Sequence, residues 1–264
     1  MKVTILGAGC CQYETDYAPS SHHIQAGNTS VLLDAGPGVT GRLLQNNIDP
    51  HDLDVVLVSH EHVDHSAGLA DLFQAIFVRT RFHADLPRAR RADKPLTIVG
   101  FKGVQNYVNI AAQWALIEED SLKLNVVELG QGDVWQTSEV GNDLRVEAFQ
   151  VPHTPTSIGF RVETEGKAIG YTGDTETAPV LDDIMRDADL VIANTAMPPS
   201  DDPEVKRLDP KMAAQHAAQA GTKRLALVHF YPELVEAIDK IEGWVRESYQ
   251  GELVIGKDNT TLEV

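Results

Sequence analysis

Within six residues, His60-Glu61-His62-Val63-Asp64-His65, the chain gathers three imidazoles and two carboxylates. Imidazole nitrogen and carboxylate oxygen are the donor types that hold divalent cations of the zinc class. His60 and His62 are spaced to turn inward together from one extended loop. Asp64 and His65 fall where a helical pattern carrying Leu69, Leu72, Phe73 and Ile76 begins, and can aim at a second point nearby. Four donors then serve two cations, and hydrolysis is the chemistry that such a pair supports. Three satisfied structural histidines would be the bland alternative, but clustered uncharged imidazoles have few other purposes.

The elements that must position this run are legible on either side of it. Residues 54–58, Asp-Val-Val-Leu-Val, read as a buried strand that ends at the run, and loops at the C-terminal ends of strands are where sites are built. Further strand-type runs are expected at 3–6, 30–34, 96–99, 124–128, 144–151, 158–163, 168–171, 190–193, 224–228, 253–255 and 260–264. Helical patterns are expected at 38–46, 65–79, 103–118, 178–187, 210–219 and 233–248. The chain is therefore α/β, with a middle stretch that is almost wholly strand. Two mixed sheets facing each other with helices outside them, a four-layer αββα sandwich, accommodate that order. No linker divides the 264 residues, so one domain over 1–264 is expected.

Composition narrows the setting. Lys plus Arg number 22 against 39 for Asp plus Glu, a formal charge of −17 that repels a polyphosphate over most of the surface, so a long nucleic acid is not expected as a partner. Residues 1–6 run straight into a glycine turn and no segment approaches a membrane span, so a cytoplasmic protein without membrane contact is expected. The adjacent Cys10 and Cys11 cannot staple distant segments, and are read as small buried residues rather than ligands. The stretch from Arg79 to Lys94 is basic within an acidic chain; it is read as a solvated loop or subunit contact, with guidance of an anionic substrate as the alternative.

The run resembles the signature of the metallo-β-lactamase-fold hydrolases, and its companions follow in order. Val151-Pro152-His153 ends a strand, Tyr171-Thr172-Gly173-Asp174-Thr175 matches the strand-end Gly-Asp-Thr motif, and Leu227-Val228-His229-Phe230 matches the last histidine strand. Leu33-Asp34-Ala35-Gly36 matches the early Leu-Asp-x-Gly element. The resemblance implies His60, His62 and His153 on one metal, Asp64, His65 and His229 on the other, and Asp174 bridging both, with Asp34 buried beneath and fixing loop or imidazole orientation. It also implies a metal-bridging hydroxide as nucleophile, with Asp64 orienting that water. His62 stands where an oxygen-reducing branch of the superfamily has Glu, which favours a redox-inert metal. Zinc is the default cation, with manganese or iron as alternatives.

Order and spacing are most similar to the tRNA 3′-processing endonuclease (ribonuclease Z) and phosphodiesterase branch. That branch carries a Glu and a His that assist with the phosphate and the leaving group, whereas the corresponding positions here are Asn194 and Arg207. Arg207 can clamp an anion but cannot donate a proton to a leaving alkoxide. His22 and His23, read as part of a loop bordering the site with one of the two turned outward, are the alternative acids. His51, His83 and His216 are read as structural or surface residues. The chain also lacks the long basic insertion by which tRNA-processing enzymes grip tRNA. A small, anionic phosphodiester is therefore the expected substrate, with lactone, ester or thioester hydrolysis as the alternative and a metal-bound sensor without turnover as the third reading. Subunit count is not readable, although dimers are common among similar proteins.

Overall fold

A computed structural model describes residues 1–82, 94–117, 122–137, 143–202 and 204–264. Among these, fourteen strands form two mixed sheets of seven. The first contains β1 (Lys2–Gly7), β2 (Ser21–Ala26), β3 (Thr29–Leu33), β4 (Val55–Val58), β5 (Leu96–Phe101), β6 (Leu124–Leu129) and β14 (Thr260–Glu263), in the order β14-β1-β2-β3-β4-β5-β6. The second contains β7 (Val134–Gln136), β8 (Arg145–Gln150), β9 (Ile158–Thr164), β10 (Lys167–Tyr171), β11 (Leu190–Asn194), β12 (Arg224–Val228) and β13 (Glu252–Ile255), in the order β13-β12-β11-β10-β9-β8-β7. Each sheet is antiparallel in one part and parallel from β3 to β6 or from β10 to β13.

Helices close both outer faces. Helices α1 (Val39–Gln45), α3 (Gly68–Phe82) and α4 (Val104–Trp114) pack together over the first sheet, behind the short α2 (Val63–Ser66). Over the second lie α5 (Val180–Met185), α6 (Pro210–Gln219) and α8 (Ile241–Arg246), with α7 (Pro232–Glu236) preceding α8. The four-layer α/β sandwich is thus the architecture. Its parallel strands read as continuous apolar runs because both faces are covered: β4 is buried at every residue, as is β11. One apolar cluster runs through both sheets, from Val3 and Leu57 to Ile192 and Leu227.

Two expectations differ from the structure. Residues 21–26 form a strand rather than a loop, with the register His22↔Leu33 and His23↔Leu32. Two consecutive histidines broke the apolar alternation that marks a strand, yet β2 lies inside the sheet and neither imidazole faces outward: His22 is 0% and His23 3% exposed. The helix expected over 233–248 is divided into α7, a 3-10 turn at Ile238–Lys240 and α8. The spacing of Ile238 and Ile241, three residues, fits the 3.0-residue turn locally while still reading as helical in a longer pattern. None of the described helices is long and apolar enough to cross a membrane. The basic stretch is paired at its edges, Arg79 with Asp49 and Lys94 with Asp54; residues 83–93, His83 among them, lie outside the described residues.

Close backbone packing fixes the loops that follow β3 and β4. A Cβ on Gly36 would stand 2.5 Å from the Asp64 carbonyl oxygen, and one on Gly68 would stand 2.4 Å from that of Gly36. Ala35 N–H donates to His65 O at 2.7 Å, and Gly68 N–H to Ala35 O at 2.8 Å. The Asp34-Ala35-Gly36 turn and the His62–Gly68 segment are therefore locked backbone to backbone, which only glycine permits at these positions.

Candidate metal centre

Strand ends on one rim of the sandwich deliver the polar residues. Asp34 follows β3, Ser59 and His60 follow β4, His153 follows β8, Asp174 follows β10, Asn194 ends β11 and His229 follows β12. His62 caps the N-terminus of α2, whose first turn carries Asp64 and His65. His229 holds its position through a positive φ of 67° and a hydrogen bond from its N–H to Ala8 O at 2.7 Å. Ala8 N–H in turn donates to Asp258 Oδ1 at 2.9 Å.

The donors fall into two groups that could each hold a cation: His60, His62, His153 and Asp174, and Asp64, His65 and His229, with donor atoms in each group within 4.8 Å of one another. In the first, His62 Nδ1 lies 3.0 Å from both His60 Nε2 and His153 Nε2. One ring nitrogen carries one proton or one lone pair, so it cannot form two good hydrogen bonds to two other ring nitrogens; three lone pairs converging on a cation satisfy all three. In the second, His229 Nε2 is 3.2 Å from His65 Nε2 and 3.3 Å from Asp64 Oδ2. Asp174 stands between them, its Oδ1 3.2 Å from His229 Nε2 and its Oδ2 3.6 Å from His153 Nε2. This donor set fits a pair of divalent cations.

Beneath it, the fully buried Asp34 sets the tautomers. Its Oδ2 accepts from His65 Nδ1 at 2.6 Å, from Tyr171 O–H at 2.6 Å and from Ser59 Oγ–H at 2.8 Å, and its Oδ1 accepts from Ser59 N–H at 2.7 Å. Ser59 has one hydroxyl proton and donates it to Asp34, so its Oγ, 3.0 Å from His60 Nδ1, accepts from that nitrogen. Both His60 and His65 thereby carry a proton on Nδ1, which leaves Nε2 as the nitrogen that could take a cation. Burial lowers the His65 imidazole, but Asp174 and Asp34 outweigh it and hold it well above its ordinary value, so a cation there would displace a proton. Burial, with His65 beside it, pushes the His60 imidazole far below its ordinary value and keeps it neutral. Burial raises the Asp174 carboxyl, but His229 and His65 outweigh it and hold the group well below the usual carboxylate range.

Ser59, Tyr171 and Glu61 were not singled out in the sequence. Glu61 Oε2 accepts from Thr154 Oγ1 at 3.1 Å and Thr156 Oγ1 at 3.0 Å, tying the His60–His65 run to the loop that carries His153. Its place between two histidines was the available signal. Asn194 and Arg207 line the same cavity of about 210 Å³ as His153, Asp174, Glu176, His229 and Tyr231. Asn194 Nδ2 donates to Asp174 Oδ1 at 2.9 Å. Arg207 is exposed, with its guanidinium 5.3 Å above the centre of the Tyr231 ring.

The two histidines of β2 do not line that cavity. His22 lies beneath the centre with its ring edge-on to Tyr171, and burial, aided by His65 and His229, pushes its imidazole down to about 3. His23 is bonded to Ser30 Oγ at 2.8 Å, and burial pushes it down to about 4. Both are buried off the cavity and are neutral imidazoles rather than imidazolium acids near neutral pH, which goes against the leaving-group role expected of them. His51 is buried against Asp49 and the Ile76 carbonyl, while His216 joins Asp182 to Thr177. Cys10 is buried and its thiol is raised to about 12 chiefly by burial; Cys11 is exposed instead, 3.5 Å from Tyr231 Oη.

The family model described as a beta-lactamase superfamily domain matches residues 29–230. Ribonuclease Z of Mycobacterium marinum is 27% identical over 287 residues, spanning 100% of this chain and 99% of its own. Among solved structures, the metallo-beta-lactamase fold protein YhfI from Bacillus subtilis aligns with a TM-score of 0.78 at 20% identity, covering 99% of this chain and 98% of its own. The short form of human tRNase Z aligns with a TM-score of 0.75 at 22% identity, covering 100% and 99%. These relatives overturn the exclusion of long nucleic acids drawn from the charge of −17. Net charge averages over a whole surface, whereas a phosphate responds to the local field of a cleft, which can differ in sign from the surface as a whole.

Proposed function

The chain belongs to the beta-lactamase superfamily and is a metal-dependent hydrolase, and we propose that it cleaves phosphodiesters, RNA among them, at a centre of two divalent cations, zinc by preference. The observation that carries this reading is Asp174, whose two oxygens face separate donor groups. His60, His62 and His153 would hold one cation, Asp64, His65 and His229 the other, and Asp174 both. Such a pair, when bound, supplies Lewis acidity toward the phosphoryl oxygens and lowers the pKa of water toward neutrality.

The remaining work falls to side chains. Asp34 holds His65 directly and His60 through Ser59, so the imidazoles are oriented before substrate arrives. Asp64 accepts a hydrogen bond from the attacking water and takes its proton. Arg207, exposed at the cavity wall and lying over Tyr231, donates to a nonbridging phosphate oxygen and neutralises the charge that builds on it. Neutral Asn194 and permanently charged Arg207 are poor acids, so diesters with good leaving groups should turn over fastest.

The test is hydrolysis of bis(p-nitrophenyl) phosphate, of a structured RNA, and of p-nitrophenyl acetate and a γ-lactone by zinc-loaded protein. Turnover of the diester and RNA, abolished in Asp174→Ala, supports the reading. Turnover confined to the acetate and lactone would replace phosphodiester hydrolysis with carboxylic ester chemistry.

A further inference from the structure

Asp174 can serve two cations only if its carboxylate keeps one oxygen on each side. The last torsion of an aspartate is a broad, two-fold well, so packing alone does not hold it. The first donor group contains no other carboxylate, whereas the second already has Asp64. A cation at His60, His62 and His153 would therefore draw both Asp174 oxygens toward itself.

The opposing restraint is Asn194, the last residue of β11, which is 3% exposed. Its Nδ2 donates to Asp174 Oδ1 at 2.9 Å, the oxygen that faces His229 and His65 at 3.2 and 3.4 Å. The amide cannot be turned over, because its carbonyl oxygen would then meet a carboxylate oxygen. Nδ2 is also 3.5 Å from Tyr171 Oη, and Tyr171 donates to Asp34 at 2.6 Å. The backbone N–H of Asn194 is held by Thr172 Oγ1 at 3.0 Å. Asn194 Oδ1, in contrast, is buried and has no hydrogen-bond partner among the described residues. The side chain is thus committed by its donor end, although a residue serving only to satisfy local polar groups would use both ends.

We propose that Asn194 is a positioning residue that divides the Asp174 carboxylate between the two donor groups and thereby sets the affinity for the second cation. This rests on the two-cation reading above. Without the amide, Asp174 turns toward the first cation, the second loses one of its donors, and binding of the second cation weakens on the order of 10- to 100-fold, the usual effect of removing a partner of a metal ligand. The first cation, held by three imidazoles, keeps its affinity.

The experiment is titration of metal-free protein with Zn²⁺ in competition with a chromophoric chelator, on the parent protein, Asn194→Leu and Asn194→Ala, with Co²⁺ absorption spectra reporting coordination at each equivalent. Two tight equivalents in the parent, and a second equivalent alone weakened in both variants with an altered Co²⁺ spectrum, are expected. A parent that binds one equivalent overturns the two-cation reading and this inference with it. Two tight equivalents in the parent and equally tight ones in both variants overturn the inference alone, as does equal weakening of both equivalents. Far-ultraviolet circular dichroism of the metal-free variants separates a local change from loss of the fold.

Discussion

His65 Nδ1 lies 2.6 Å from Asp34 Oδ2, and both residues are wholly shielded from solvent. The same oxygen takes Ser59 and Tyr171, so one carboxylate at the end of β3 governs an imidazole on α2, another after β4 through Ser59, and a phenol on β10. Two sheets meet on a single acceptor.

Asp34→Asn keeps the shape of the side chain but offers a weaker acceptor to four donors, and its amide can meet only some of them. Cation retention during dialysis against a chelator is expected to fall on the order of 10- to 100-fold, with unfolding free energy lower by about 1–3 kcal/mol from the unpaired buried groups. Metal analysis and denaturant titration measure the two. Retention equal to the parent protein's would show that Asp34 does not orient the donors.

Glu61→Ala removes the acceptor of Thr154 and Thr156 and frees the loop that carries His153. Lower catalytic efficiency is expected, with recovery in Glu61→Gln, whose amide oxygen still accepts from a hydroxyl. Steady-state kinetics of all three proteins checks this, and an inactive Gln variant would point to the charge of Glu61 instead.

Arg207→Met preserves much of the side-chain volume over Tyr231 while removing the donors. Arg207 is exposed, so stability should stay within about 0.5 kcal/mol. KM for a diester is expected to rise roughly 10-fold, the loss of one charge-assisted contact of about 1.4 kcal/mol. KM should also become less sensitive to salt. An unchanged KM would exclude Arg207 from phosphate binding.

Strand patterning made the sandwich readable, because buried parallel strands such as β4 and β11 leave uninterrupted apolar runs. β2 escaped because its histidines look like loop chemistry, and only the closed packing on both faces makes them interior. β7, three residues at a sheet edge with Val134 exposed, carries too little pattern to register. At the centre, the donors were visible as residue types in order. Of their supports only Asp34 was: Ser59, Tyr171 and Glu61 matter through bonds to groups distant in the chain, Tyr171 to Asp34 across 137 residues. Which residues face a phosphate likewise follows from loop shape rather than from spacing.

The buried histidines of β2 make stability depend on pH with a definite sign. His22 is held at about 3 and His23 at about 4 when folded, against 6.5 as the ordinary value. Above pH 6.5 each is neutral in both states; as pH falls below it, the unfolded chain binds protons that the native state refuses. Stability therefore drops by about 1.4 kcal/mol per pH unit for each histidine. In His22→Phe, the loss between pH 7 and about pH 5 should be smaller than in the parent by about 2 kcal/mol, measured by denaturant titration at both values. Parallel pH profiles would mean that His22 is protonated inside the fold.

The pairing of β1 with β14 brings Thr4 and Thr261, 257 residues apart, to within 3.2 Å, and His65 meets His229 across 164. Contacts of such sequence separation form late and slowly, because long loops must close before they reward the chain. During synthesis the His60–His65 run emerges with its neighbours but without His153, Asp174 or His229. A nascent chain that has reached only this run can therefore offer a cation four of the seven donors, and the set is complete only once His229 has joined the fold.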